Sequence, residues 1–348
     1  MSKLRIGIVG HGKMGHIRRE TAAKIENLEL AVLCDVNQDN ALDGVPFETD
    51  WHKVFDHNID LVFVCTTNDL IPEVAVAALN RGIHTFCEKP PGRTIDDVLR
   101  IRAAESRSGG AKLKFGFNHR YHQAVMDANA LVKKGRLGRV LWMRGIYGKA
   151  GGPGYDRNWR NDPRRSGGGI LIDQGIHILD LLLLFCGEFE EVKSFVGRNF
   201  WQVPVEDNAF AMLRNSAGQV AMVHSSATQW RHTFRLEIYM EQGYLVIEGI
   251  LSSTGTYGQE TLKVARCVLD DDGYPLPNPQ ETETYYSEDR SWELELAEFL
   301  DCVRNDKPVR VGSSADALAV MKLVHQIYDQ DGPWKKRAQL VEGARIEK

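Results

Sequence analysis

The stretch Leu4-Arg5-Ile6-Gly7-Ile8-Val9-Gly10-His11-Gly12-Lys13-Met14-Gly15 decides the reading of the first third of the chain. An apolar, β-branched run ends in Gly10-x-Gly12-x-x-Gly15, and an amphipathic helical segment follows over Met14–Ile25. In that setting the spacing has a mechanical meaning. The first glycine permits the tight turn, the second lets a pyrophosphate approach the backbone, and the third lets helix and strand pack closely. The helix start then offers its unpaired N–H groups to the phosphates. Gly10, Gly12, Lys13, Met14 and Gly15 are therefore candidate cofactor contacts. Asp35 stands twenty residues beyond Gly15, just after the apolar run Leu30–Cys34. A carboxylate there can accept hydrogen bonds from the adenosine ribose and repel a 2′-phosphate, which predicts NAD rather than NADP.

Working outward, short apolar runs alternate with amphipathic segments. Strands are expected at Leu61–Cys65, Thr85–Cys87 and Leu113–Phe115, with helices at Ile71–Arg81 and Ile95–Ser106. This alternation predicts a doubly wound parallel sheet covered on both faces. Near Phe117–Arg120 the pattern changes. After a helix at about Ala124–Lys133, strands dominate: Val140–Tyr147, Val192–Arg198, Asn208–Leu213, Gln219–Ala227, Phe234–Met240 and Tyr244–Ile247. Gly-containing turns link several of them, as in a large open, mainly antiparallel sheet. Helices are expected at Ile170–Phe185, Trp292–Arg304 and Ala315–Tyr328, and a loop at Asp270–Pro279. The expected domains are residues 1–120, which bind a dinucleotide, and 121–348, which bind substrate and form oligomer contacts.

Two further motifs carry chemistry. Glu88-Lys89-Pro90 follows the run Thr85–Cys87, at the carboxyl end of an expected parallel strand, where ligands bind in open α/β sheets. Lys89 there can bond a hydroxyl and stabilise a developing alkoxide; taken alone, the tripeptide also suits a surface turn. Asp173 and His177 lie four apart in the apolar segment after Gly167-Gly168-Gly169, so on a helix they share a face. Asp180, three beyond His177, could orient its ring. Polar groups inside such a segment are costly unless paired or used, although a satisfied core histidine with a capping aspartate fits the same pattern.

These separated motifs together resemble the glucose–fructose oxidoreductase/inositol dehydrogenase/rhizopine-catabolism (Gfo/Idh/MocA) dehydrogenases over nearly the whole chain. Thr66-Thr67-Asn68 resembles the family's cofactor-contacting loop, Glu88-Lys89-Pro90 its lysine motif, and Phe117-Asn118-His119-Arg120-Tyr121 its crossing segment. Asp173 and His177 match its paired catalytic positions. The resemblance implies a Rossmann domain, then an α/β domain whose open sheet often makes the subunit interface, so a homo-oligomer (dimer or tetramer) is expected. Two positions depart from the pattern: Ile71 replaces a frequent histidine, and Gln123 a frequent proline.

Arg157, Arg160, Arg164 and Arg165 cluster before the glycine run, with Tyr155 and Trp159 among them. Guanidinium forks suit phosphate or carboxylate, though a solvated basic loop has the same composition. Gln229-Trp230-Arg231-His232 is a further candidate for substrate contact, and resembles a subgroup associated with cell-surface carbohydrate synthesis. Composition limits the alternatives. A net charge of −4 leaves no electrostatic footprint for nucleic acid or an anionic membrane. The six cysteines show no zinc or disulfide spacing, so no metal and a reducing, cytoplasmic setting are expected. The chain starts without a signal-peptide pattern, and its longest apolar stretch, Ile176–Cys186, is short for a membrane span.

The expected activity is oxidation of a secondary hydroxyl on a sugar or derivative, neutral, acidic or nucleotide-linked. His177 would be the base, Lys89 the alkoxide stabiliser, and Asp173 a substrate contact or support for the lysine. Arg120, Tyr155, Arg157, Trp159, Arg160, Arg164 and Trp230 are expected around the substrate, and Glu88 with Lys89 beside the cofactor. A cyclitol dehydrogenase, a non-catalytic dinucleotide-sensing regulator, and a hydrolase or lyase using bound NAD transiently are the alternatives.

Overall fold

The computed structural model describes residues 3–252 and 254–336. Residues 3–118, with 164–167 and 292–321, pack as one unit. Its sheet has six strands: β1 (Leu4–Val9), β2 (Leu28–Cys34), β3 (Phe47–Glu48), β4 (Leu61–Val64), β5 (His84–Cys87) and β6 (Leu113–Phe115). Their order is β3-β2-β1-β4-β5-β6, and every neighbouring pair is parallel. The strands read as continuous apolar runs because helices cover both faces; all four residues of β4 are buried. β1 pairs with β2 on one side and β4 on the other, so the winding reverses beside Gly10, the place where α/β sheets open a crevice for ligand.

The helices of this unit start where local chemistry permits. Thr94 caps Ile95–Glu105 by accepting from Asp97 N, and the Asp97 carboxylate returns the bond to Thr94 N. The helix Ser291–Arg304 contributes Leu296, Phe299 and Leu300 to a core with Ile6, Ile8, Leu33, Leu61, Phe63 and Phe86. The sequence reading counts residues 292–321 with the second domain. They pack in the first because Leu296, Phe299 and Leu300, at helical spacing, complete the apolar cover of its sheet.

Among the described residues, the second unit comprises 119–163, 168–252, 254–291 and 322–336. Its sheet has eight strands: β7 (Val140–Ala150), β8 (Glu191–Gly197), β9 (Asn208–Arg214), β10 (Val220–Ser226), β11 (Thr228–Met240), β12 (Gly243–Glu248), β13 (Glu260–Arg266) and β14 (Glu281–Tyr286). The order is β14-β13-β12-β11-β7-β10-β9-β8, antiparallel throughout except for the β7–β10 pair. β13 and β14 extend the sheet beyond the expected strands. β14, Glu-Thr-Glu-Thr-Tyr-Tyr, has no buried residue and hence no apolar alternation to betray it.

One face of this sheet carries the helix Ile176–Cys186. Gly145 admits that helix: a Cβ there would sit 2.6 Å from Ile178 Cγ2. The opposite face exposes Phe195, Phe210, Met212, Met222 and Trp142. Helical residues Pro163–Cys186 form a run of 24 that meets the length and composition of a membrane span. This corrects the expectation from Ile176–Cys186 alone, since the helical run begins earlier. The apolar window is 72% buried within the chain, as in a core helix. All six cysteines are free thiols.

Candidate functional site

Within the first unit, the cofactor candidates follow consecutive strand ends. Gly10 follows β1, Asp35 follows β2, Thr66 lies just beyond β4, and Glu88-Lys89 follow β5. Gly10 has φ +90°, and a Cβ would lie 2.5 Å from Cys65 O, so only glycine fits the turn. A Cβ on Gly15 would meet Gly10 O at 2.1 Å, while around Gly12 there is open space. The helix Lys13–Ala23 starts at Gly12 with no side-chain cap and no acidic residue in its first turn. Its N–H groups thus remain available to an anion. Asp35 Oδ2 accepts from His11 N at 2.7 Å and Oδ1 from Asn37 N at 2.9 Å, which fixes the carboxylate against the glycine turn. These features fit a dinucleotide. His11, the variable residue of the motif, is buried, and its ring stacks on His16 at 4.1 Å. Burial lowers the pKa of His11.

Two expected cofactor contacts have other work. Glu88 is buried, and its Oε1 accepts from Arg18 Nε at 2.6 Å; Arg18 Nη1 also lies 2.8 Å from Glu295 Oε2. Glu88 therefore anchors the backbone leading into Lys89. Asn68 is buried, and its amide donates to Ser166 O at 2.8 Å. With Asp69 N to Arg165 O (3.1 Å) and Arg93 Nη1 to Arg164 O (2.7 Å), it holds the segment 164–167. Thr66 and Thr67 are half-buried beside it, as is Lys89.

In the second unit, Asp173 and His177 sit at a wide turn. Residues Leu171–Gly175 form one π-type turn that leads into the helix Ile176–Cys186. Such turns are rare and concentrate at functional sites. Asp173 Oδ2 accepts from Lys149 Nζ and Oδ1 from Arg160 Nε, both at 3.2 Å. Asp173, Lys149 and Arg160 line a depression together with Tyr155, Asn158 and Asn161. Lys149 was not anticipated; it lies near the end of a long alternating strand, and nothing local marks its side chain as functional.

His177 is buried, and its ring lies flat on His119, centroids 3.7 Å apart at 16°. His119 Nε2 is 3.2 Å from the Tyr147 hydroxyl, which burial pushes far above its ordinary pKa. Tyr257 packs edge-on against Tyr147 and donates to Gln174 Oε1 at 3.1 Å. Asp180, expected to orient His177, accepts from Arg120 through both oxygens, at 2.7 and 2.6 Å. Arg120, expected at the substrate, is thereby committed to a buried ion pair.

The arginine cluster divides. Arg160 reaches Asp173 and lies over the Trp159 ring at 4.5 Å. Arg157 is exposed, and Arg164 and Arg165 are exposed within the segment that packs in the first unit. The glycine run serves packing more than approach to ligand. A Cβ on Gly168 would meet the Tyr328 hydroxyl at 2.3 Å, and one on Gly169 would meet Glu206 O at 2.1 Å. Glu206 is fully buried and accepts from Gly169 N, Leu171 N and the Tyr328 hydroxyl, so it fixes the start of the π turn. Among the described residues, no group of His, Cys, Asp or Glu is arranged to hold a metal ion.

Comparison with known proteins agrees with this architecture. Residues 4–116 match the oxidoreductase family with the NAD-binding Rossmann fold, and residues 125–246 match the GFO/IDH/MocA C-terminal domain. The chain is 25% identical to the myo-inositol 2-dehydrogenase of Thermotoga maritima over 264 residues, 72% of this chain and 77% of that enzyme. It is 26% identical to the D-glucoside 3-dehydrogenase of Escherichia coli over 346 residues, 94% of this chain and 95% of the other. The fold superposes on levoglucosan dehydrogenase, solved with NADH and levoglucosan, with a TM-score of 0.82 and 22% identity, covering 96% of this chain and 98% of that one. With the Rossmann domain and the C-terminal domain both matched, the chain belongs to the GFO/IDH/MocA oxidoreductases, a family of enzymes acting on sugars and cyclitols with NAD as cofactor.

Proposed function

We propose that this enzyme oxidises a secondary hydroxyl of a sugar or sugar derivative, with His177, Asp173 and Lys89 serving the one reaction. The observation that carries the proposal is the π turn that holds Asp173 and leads directly into the helix that buries His177. A carboxylate held by two basic side chains and a buried imidazole four residues further on suit hydroxyl binding and proton transfer.

NAD, when bound, supplies the hydride acceptor. The chain's own residues handle the proton and the orientation. His177 takes the hydroxyl proton as the carbonyl forms, and its ring plane is set by stacking on His119. The Lys89 ammonium stabilises negative charge developing on the substrate oxygen. Asp173, bracketed by Lys149 and Arg160, accepts hydrogen bonds from neighbouring substrate hydroxyls, and the two basic side chains hold it in place.

The exposed sheet face, with Phe195 at 78%, Met212 at 53% and Phe210 at 43% exposure, supports a homo-oligomer formed through this sheet. A cytoplasmic enzyme with a small-molecule substrate completes the reading. The test is NADH formation from purified enzyme and NAD with a panel of aldoses, glycosides, uronic acids, nucleotide sugars and inositols. Turnover of an inositol in preference to every sugar would move the assignment to a cyclitol. Absence of turnover with all of them would sink the proposal.

A further inference from the structure

We propose that Tyr155, Trp201, Phe200 and Trp230 form a platform for a second, flat-faced ring attached to the sugar that is oxidised, so that the substrate is a glycoside or similar conjugate and not a free monosaccharide. The inference rests on the reading above, in which the depression at Asp173 receives the reacting sugar.

Tyr155 lines that depression. From it the rings continue outward in steps of similar length. Tyr155 and Trp201 have centroids 4.8 Å apart, Trp201 and Phe200 5.1 Å, and Phe200 and Trp230 5.2 Å. The last two are solvent-exposed, Phe200 at 55% and Trp230 at 64%. Large apolar side chains held in water and continuous with a polar depression fit a ligand that is polar at one end and flat at the other.

The platform is built, not incidental. The buried carboxylate of Asp207 accepts from Asn199 N, Phe200 N and Trp201 N, each at 2.8 Å, and so pins the backbone beneath two of the rings. The Trp201 indole donates to Ala227 O at 2.9 Å. Gly151 makes room for it, since a Cβ there would lie 2.3 Å from Trp201 Cζ2. On the other side, the β7–β11 ladder pairs Thr228 with Ala150 and Thr233 with Gly148. Four residues, Gln229-Trp230-Arg231-His232, therefore stand opposite the single residue Lys149, the same lysine that holds Asp173. A bulge of this kind re-aims side chains; here it carries Trp230 beside Phe200. Ring faces stack on pyranose C–H surfaces or on aromatic and nucleobase rings alike, so the shared chemistry is a flat ring.

The test compares kcat/KM for each sugar in the panel with that of its methyl glycoside, its phenyl glycoside, its glucosyl disaccharide and its UDP conjugate. It uses the wild type and the variants Trp230→Ala and Phe200→Ala, with thermal midpoint and oligomer size checked alongside. The ring-bearing substrate should exceed the methyl glycoside by about tenfold or more, mainly through KM. Each variant should erase that advantage, bringing KM for the ring-bearing substrate to that for the methyl glycoside. Which conjugate gains most identifies the attached ring. Equal values for one-ring and ring-bearing substrates in the wild type, or an advantage that survives both variants, would overturn the platform. Loss of the oligomer with unchanged kinetics would make the patch a contact between copies and would overturn it too. No NADH from any substrate, with one ring or two, would instead mean that the underlying sugar-oxidation reading has failed.

Discussion

Arg18 Nε donates a 2.6 Å hydrogen bond to Glu88 Oε1, tying the helix that follows the glycine turn to the carboxylate that precedes Lys89. The same guanidinium lies 2.8 Å from Glu295 Oε2 and over the ring of Phe86 at 4.2 Å, and is fully buried. Two carboxylates thus share one cation in a dry site. Burial pushes the Glu295 carboxyl up to about 7. Arg18→Met would leave Glu88 without its countercharge, and such a break in a buried pair costs on the order of 3–5 kcal/mol. Urea unfolding at pH 8 should show a loss of that size. A loss under about 1 kcal/mol would mean that the network contributes little.

Glu206 and Glu295 give stability a defined pH dependence. Each carboxyl has its pKa raised from 4.5 to about 7 in the folded chain, chiefly by burial. Between those values the folded state binds more protons than the unfolded one. Their contribution is complete below about 4.5, falls as pH rises through about 7, and is constant above. Glu206→Gln should flatten the slope of unfolding free energy over that window relative to wild type. Parallel curves for the two proteins would show that Glu206 ionises normally.

Lys89→Met and His177→Asn should each lower turnover by about two to four orders of magnitude. NADH binding, followed by fluorescence, should persist because the glycine turn is unaltered. Near-wild-type turnover in either variant would remove that residue from the mechanism.

Asp35 is held by His11 N and Asn37 N at the position expected of a ribose contact. Its charge should favour NAD over NADP through repulsion of the 2′-phosphate. Asp35→Ser should narrow the ratio of kcat/KM values. Equal values in the wild type would contradict this role.

Among the four arginines, Arg160 is the one bonded to Asp173. Arg160→Ala should lower kcat/KM by roughly tenfold to a hundredfold, since a charge pair at the substrate is broken. Alanine at 157, 164 or 165 should each cost under about 1 kcal/mol, because these side chains are exposed and screened. Kinetics at two ionic strengths would check this. A strong KM increase at Arg157, Arg164 or Arg165 would point to an anionic substrate group bound there.

Much of this protein is legible in its sequence because the signals are local. Strand periods, the turn at Gly10 and the carboxylate of Asp35 each depend on a few neighbouring residues, and the residue types needed there are restricted by sterics. The Asp173–His177 pair stands out as a proposed site for the same reason, as polar groups in a largely apolar segment. Tertiary structure alone decided what each polar group meets. Glu88 pairs with Arg18, 70 residues away, and Arg120 with Asp180, 60 residues away. Asp173 is held by Lys149 from a neighbouring strand, and the helix Ser291–Arg304 completes the first sheet instead of the second. The π turn and the bulge at Trp230 likewise arise from the packing and pairing of distant segments. A buried charge must find its partner wherever the fold supplies one, and no local pattern records which residue that is.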